Sequence, residues 1–255
     1  MLRDRLIFSL IYNAGAFMQS RNFRLQRVGD INWLERNYKF QKISFSLDEL
    51  IVVDATKNNK DIKKFSEAIQ RLVSDVFIPV AAGGGIRQIE DAELLFNSGA
   101  DKVILNSALY ESPELAKSII EKYGSQSLVA SVDYKLVNDV PVVYIKDGSV
   151  PIAVSLDEYL IFLQQLGVGE ILLNSIQQDG TGFGYDIITI QKHSQSISVP
   201  LLIMGGAGNE QHLLEGLSQD GVSAVVTANL FNFIGNGLPN ARKYMLENNA
   251  NLARW

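Results

Sequence analysis

The chain repeats itself. Gly99-Ala-Asp-Lys-Val-Ile-Leu-Asn-Ser-Ala-Leu-Tyr110 recurs in altered form as Gly221-Val-Ser-Ala-Val-Val-Thr-Ala-Asn-Leu-Phe231, 122 positions on, and Gly83-Gly-Gly-Ile recurs as Gly205-Gly-Ala-Gly at the same interval. Glu49-Leu-Ile-Val-Val-Asp54 and Glu170-Ile-Leu-Leu-Asn-Ser175 agree at 121. A period this long is one of several supersecondary units rather than of a single solenoid repeat. Within each period short β-branched runs alternate with amphipathic stretches. Residues 6–11, 49–54, 78–82, 102–106, 128–133, 170–174, 200–204 and 224–227 read as strands, apolar throughout as parallel strands buried on both faces are. Helical patterns cover 60–74, 89–98, 112–123, 156–166, 186–194 and 210–219, the third opened by Ser112 as cap and Pro113 at the first helical position. Eight strands alternating with helices predict an α/β fold, a (βα)8 TIM barrel built from two (βα)4 half-barrels, about 1–123 and 124–255, as a single domain. A doubly wound open sheet is the structural alternative.

Composition narrows the chemistry. A formal net charge of -5 gives no electrostatic reason to expect nucleic acid or an anionic membrane. With no cysteine and only His193 and His212, disulfides, thiolate zinc sites and cysteine nucleophiles are out, and a histidine-ligated metal has almost nothing to use. No metal or cofactor is expected. The basic start and the apolar run 6–12 copy a signal peptide superficially, but the run is short and no small-residue cleavage pattern follows, so it reads as a buried strand. No run approaches a membrane span, and a cytoplasmic protein is the expectation.

A TIM barrel places its ligand site at the C-terminal ends of the strands, where glycine-rich turns hold phosphate. Gly84 and Gly85 follow strand three, Asn106 and Ser107 follow strand four, and the second half offers Gly206 after strand seven and Ala228 and Asn229 after strand eight. Gly180 and Thr181, after strand six, join the second group. Without Cβ atoms, backbone N–H groups approach an anion closely, and Ser, Thr or Asn adds a side-chain donor. Two opposed cups suit a small molecule phosphorylated at both ends.

Asn22-Phe23, Ala82-Gly-Gly-Gly-Ile86, Gly99-Ala-Asp-Lys-Val103, Asn106-Ser107, Gly124-Ser-Gln126, Gly169-Glu-Ile-Leu-Leu173, Asp179-Gly-Thr181, Gly184-Tyr-Asp186 and Gly205-Gly-Ala-Gly208 resemble the cyclase subunit of imidazole glycerol phosphate synthase, nearly end to end. The resemblance implies a barrel that receives ammonia from a separate glutaminase subunit and uses it on a bisphosphorylated ribonucleotide of histidine biosynthesis, with one catalytic aspartate ending strand one and another ending strand five. The second is Asp133. The repeat offset puts Ile11 where the first belongs. Ring closure by general acid–base catalysis needs proton carriers on both sides of the substrate, and isoleucine is none. The loop 12–19 carries no charge, Gln19 stands where the family has a lysine near substrate, and Asn229 replaces its usual serine. Divergent copies of this subunit occur in bacterial surface-polysaccharide gene sets, beside a glutaminase paralogue and a sugar amidotransferase that makes acetamidino groups, and the chain resembles one of those. That implies a glutaminase partner and a third protein.

Charges at the strand beginnings need their own account. Arg5, Lys102 and Glu170 share inward parity with their strands' lumen residues, and Glu49 begins strand two. The resemblance makes these four a charged ring that closes the barrel bottom and gates ammonia, although two cations and two carboxylates would equally serve as a salt-bridged plug fixing register. Asp101 resembles the family's residue that pairs with the glutaminase; a solvated loop carboxylate is the plainer alternative. Three functions stay open: ammonia conduction without cyclisation, a true cyclase tolerating Ile11, and a phosphate-binding scaffold that activates a glutaminase.

Overall fold

The computed structural model describes residues 3–38, 43 and 45–254. Eight parallel strands close on themselves: β1 (Arg5–Asn13), β4 (Glu49–Asp54), β5 (Val80–Gly83), β6 (Lys102–Leu105), β7 (Leu128–Val137), β10 (Glu170–Ser175), β11 (Leu201–Met204) and β12 (Val222–Thr227), with β12 pairing back to β1. This is the TIM barrel, and the open-sheet alternative fails on that closing pair. Among the described residues the helices are α1 (Ile31–Tyr38), α2 (Ile62–Asp75), α3 (Ile89–Asn97), α4 (Ser107–Glu111), α5 (Pro113–Tyr123), α6 (Leu156–Leu166), α7 (Ile187–His193), α8 (Glu210–Leu217) and α9 (Gly237–Glu247).

Strand alternation sorts the side chains into two cores. Ile7, Ile51, Ala81, Ile104, Val129, Leu172, Leu202, Ala224 and Val226 fill the lumen, while outward residues such as Leu6, Phe8, Leu50, Val103 and Leu173 pack under the helices. Each fully buried Leu, Ile or Phe contributes roughly 1.5–3 kcal/mol of transfer free energy. α6 starts with a capping box between Ser155 and Glu158 and stops at Gly167, whose φ of 91° an L side chain resists. Ser112 does sit at the start of α5 with Pro113 behind it, but its side chain makes no capping bond, a correction to the expected cap.

Two antiparallel excursions were not anticipated. After β1 the chain returns as β2 (Ala16–Arg21) and β3 (Arg24–Gly29), and after β7 as β8 (Val140–Ile145) and β9 (Val150–Ser155). Asn22 and Phe23, Asn138 and Asp139, and Lys146 and Asp147 all have positive φ, as primed hairpin turns require. The excursions follow the first and fifth barrel strands, so they obey the internal repeat. Their tips meet over the C-terminal mouth: a Cβ on Gly148 would come within 2.9 Å of the Phe23 ring.

Candidate active site and barrel gate

Asp133 ends the inward face of the fifth barrel strand, 8% exposed. Asn174 donates to its Oδ1 at 2.8 Å and Asn106 to its Oδ2 at 3.1 Å. Burial pushes its pKa up to about 7, against the Asn174 bond, and the charges of Asp179 and Asp147 push the same way. Such a group gives or takes a proton at neutral pH. Four strands round the barrel Ile11 lies half-buried, paired with Val53 on the neighbouring strand, and Val53 and Met204 pack on the lumen core. Asp133 therefore has isoleucine, not a second carboxyl, at the repeat-related position.

Gly84 is forced by its surroundings, since with φ at 101° a Cβ would fall 2.2 Å from the Asp54 carbonyl oxygen. Lys60 crosses Gly85, donates to that carbonyl at 2.6 Å and stands 3.6 Å from the Asp54 carboxylate. Sequence reasoning passed over Lys60; a lysine after a strand ending in a buried aspartate is the signal that could have found it. Ser107 donates to Asn106 Oδ1 and accepts the N–H of Lys146, so the β8–β9 turn rests on this first cup.

The second cup is lined by Gln19, Asp179, Gly180, Met204, Gly205, Gly206, Ala207, Thr227, Ala228 and Asn229. Gln19 reaches in and accepts the Leu230 N–H at 2.8 Å, leaving about 20 Å³, room for a single water. Two expected donors are partly engaged: Asn229, which lines the cup, uses its Oδ1 to accept from Phe231 and Asn232 while its Nδ2 is not used in those bonds, and the Thr181 hydroxyl donates to the Gln178 carbonyl. Asp179, expected only as part of a phosphate loop, clamps the hairpin instead: its Oδ2 accepts the Ser20 hydroxyl at 2.5 Å and the Phe23 N–H at 3.0 Å, while its carbonyl takes the Asn22 N–H.

At the other end the four inward charges do form one ring. Arg5 bridges Glu49 at 2.9 Å and Glu170 at 2.8 Å; Lys102 bridges the same two carboxylates, both at 2.9 Å. Glu49 is 2% exposed and burial raises its pKa, against the attraction of Lys102, with Glu170 adding to the rise and Arg5 opposing it. Each carboxylate has two cationic neighbours, which offsets the several kcal/mol that desolvating a charge costs. Inside the ring the Ser9 hydroxyl is buried without a hydrogen-bond partner. Asp101 is exposed and accepts the Val80 N–H at 2.8 Å.

A family model described as histidine biosynthesis protein matches residues 21–235. The chain belongs to that family. Within it, a protein provisionally designated imidazole glycerol phosphate synthase subunit hisF2, from Parasynechococcus marenigrum, is 43% identical over 256 residues, covering 100% of this chain and 95% of its own. Imidazole glycerol phosphate synthase subunits HisF from Chlorobium limicola and Pyrobaculum aerophilum are 35% and 34% identical, over 96% and 92% of this chain and 96% and 91% of theirs. The chain is thus a HisF-like member of the histidine biosynthesis family, and among the described residues no helix is long and apolar enough to cross a membrane.

Proposed function

We propose that this HisF-like barrel is a non-cyclising, ammonia-conducting subunit of a glutamine-dependent amidotransferase system, delivering nitrogen to a sugar for acetamidino-group formation in surface polysaccharide, in the cytoplasm. The observation that carries the reading is the pairing of a complete ring of Arg5, Glu49, Lys102 and Glu170 with a mouth in which Ile11 stands where a second proton carrier belongs. A glutaminase docks on the ring face, where Asp101 is exposed, and a third protein receives nitrogen at the mouth. Neutral ammonia crosses the apolar lumen past Ser9, Val129 and Ser131, whereas ammonium would meet the desolvation cost of a buried charge. Lys102 is the moving part of the gate, because its flexible stem swings the charge outward without removing it from solvent. The cups hold the phosphoryl groups of a small molecule.

Reconstitution with a glutaminase and the acceptor enzyme tests this. Lys102→Ala should raise the ratio of glutamate formed to nitrogen transferred. An unchanged ratio in Lys102→Ala and in a folded Ser131→Trp variant transfers the case to the scaffold reading. The relatives named as synthase subunits, with Asp133 near neutrality, favour the cyclase alternative. Turnover of the bisphosphorylated ribonucleotide with saturating ammonium, within tenfold of a HisF cyclase, would establish that alternative instead.

A further inference from the structure

The hairpin that roofs the second cup carries an uncompensated pair of cations. Arg21 and Arg24 are directly opposite one another across the β2–β3 pair, flanking the Asn22–Phe23 turn, and both are exposed. Among the described residues neither makes an ion pair or a side-chain hydrogen bond. Like charges at directly opposed positions destabilise a hairpin, so their juxtaposition is a cost that the folded chain alone does not recover. Two carboxylates in this region do not relieve it. Asp179 lies buried under the turn, engaged by Ser20 and Phe23, and Asp147, beside the Phe23–Gly148 contact, forms no ion pair with either arginine.

The pair is also tightly placed. Gly180 packs so closely on the hairpin that a Cβ there would meet the Ser20 carbonyl at 2.1 Å and the Arg21 Cα at 2.7 Å. Asp179–Gly180 holds the turn in place from below, and the same Gly180 lines the second cup. Two guanidinium forks rooted about 5 Å apart, the Cα separation of opposed strand residues, suit two neighbouring phosphoryl groups, each met by paired N–H donors.

We infer that Arg21 and Arg24 form a binding site for the diphosphate group of a small molecule, outside the two glycine cups and on the outer lip of the second. The site does not depend on where nitrogen finally goes; it brings an anionic ligand to the mouth of the barrel whichever reaction follows. Two exposed side chains on one tight turn, against a glycine loop, suit a small molecule better than an acidic protein surface.

The probe is inorganic pyrophosphate, titrated calorimetrically into the isolated chain at constant ionic strength. Arg21→Ala with Arg24→Ala should weaken binding at least tenfold, as should R24E alone, while R24E leaves the melting temperature of the free protein the same or higher because it removes the repulsion. Arg27→Ala, on the same hairpin, should keep wild-type affinity. The proposal fails if the Arg21 and Arg24 variants bind pyrophosphate like the wild type, if Arg27→Ala loses as much as they do, or if sulfate competes as well as pyrophosphate. Binding of a poly-glutamate peptide with no response to pyrophosphate would also overturn it, in favour of an acidic protein partner.

Discussion

Asp133 is charged or neutral with nearly equal ease at pH 7, and that has a thermodynamic sign. Its carboxyl is raised from 3.8 to about 7 by burial. Between roughly pH 4 and 7 the folded state therefore holds a proton that the unfolded state has released, and stability falls as pH rises through that window. Above pH 7 the whole cost is present, of order about 4 kcal/mol for a shift of this size. Asp133→Asn removes the charge and keeps a carboxamide between Asn106 and Asn174. Its melting temperature should exceed that of the wild type at pH 8, and the difference should shrink towards pH 5. Thermal melts at the two pH values decide; a difference independent of pH would mean that the carboxylate is not held in a costly environment. At the same scale the Gln19 side-chain carbonyl satisfies the Leu230 N–H.

The β1–β2–β3 excursion is held mainly by its tip. Three bonds to Asp179 and two from Asn22 Nδ2 to the carbonyls of Ile176 and Gln177 fasten it across the mouth. Gly180→Ala places a Cβ 2.1 Å from the Ser20 carbonyl at a φ of 68°, so the hairpin must lift, at roughly 1–3 kcal/mol. Limited proteolysis should then cut near Arg21 and Arg24 in the variant much faster than in the wild type; equal rates would show the clamp to be dispensable. The barrel strands were legible because each carries a short, mostly apolar run, and the repeat located them twice. The excursions were not, because Ala16–Arg21 and Arg24–Gly29 alternate weakly and Val140–Ile145 is interrupted by Pro141, tolerable only away from a central strand. α9 contains Gly237 and Pro239 in its first turn, and α4 is five residues long, so neither shows a helical period. Arg5, Lys102 and Glu170 could be placed by parity, and Asp133 and the completed ring by resemblance, whereas the commitments of Asn229, Thr181 and Gln19 depend on turns that neither describes.

For the molecule as a whole the two ends of the barrel are dressed differently. The ring end exposes Phe77 (83%) and Phe45 (68%) in the segments leading into β5 and β4, close in sequence to Glu49 and to Asp101's partner Val80. Large exposed aromatics beside a neutral ring fit a protein interface. Phe77→Glu should abolish co-purification with a co-expressed glutaminase and leave the melting temperature of the isolated chain unchanged. Retention of the glutaminase by that variant would move the docking surface elsewhere.

The meeting of Phe23 and Gly148 makes the roof a pair of swing doors, hung on opposite jambs of the barrel and shutting against each other. A side chain at position 148 would collide with the Phe23 ring and with Ile176, so the two leaves meet this closely only because that residue has none. The doorway spans both halves of the chain, since one leaf hangs from the first barrel strand and the other from the fifth.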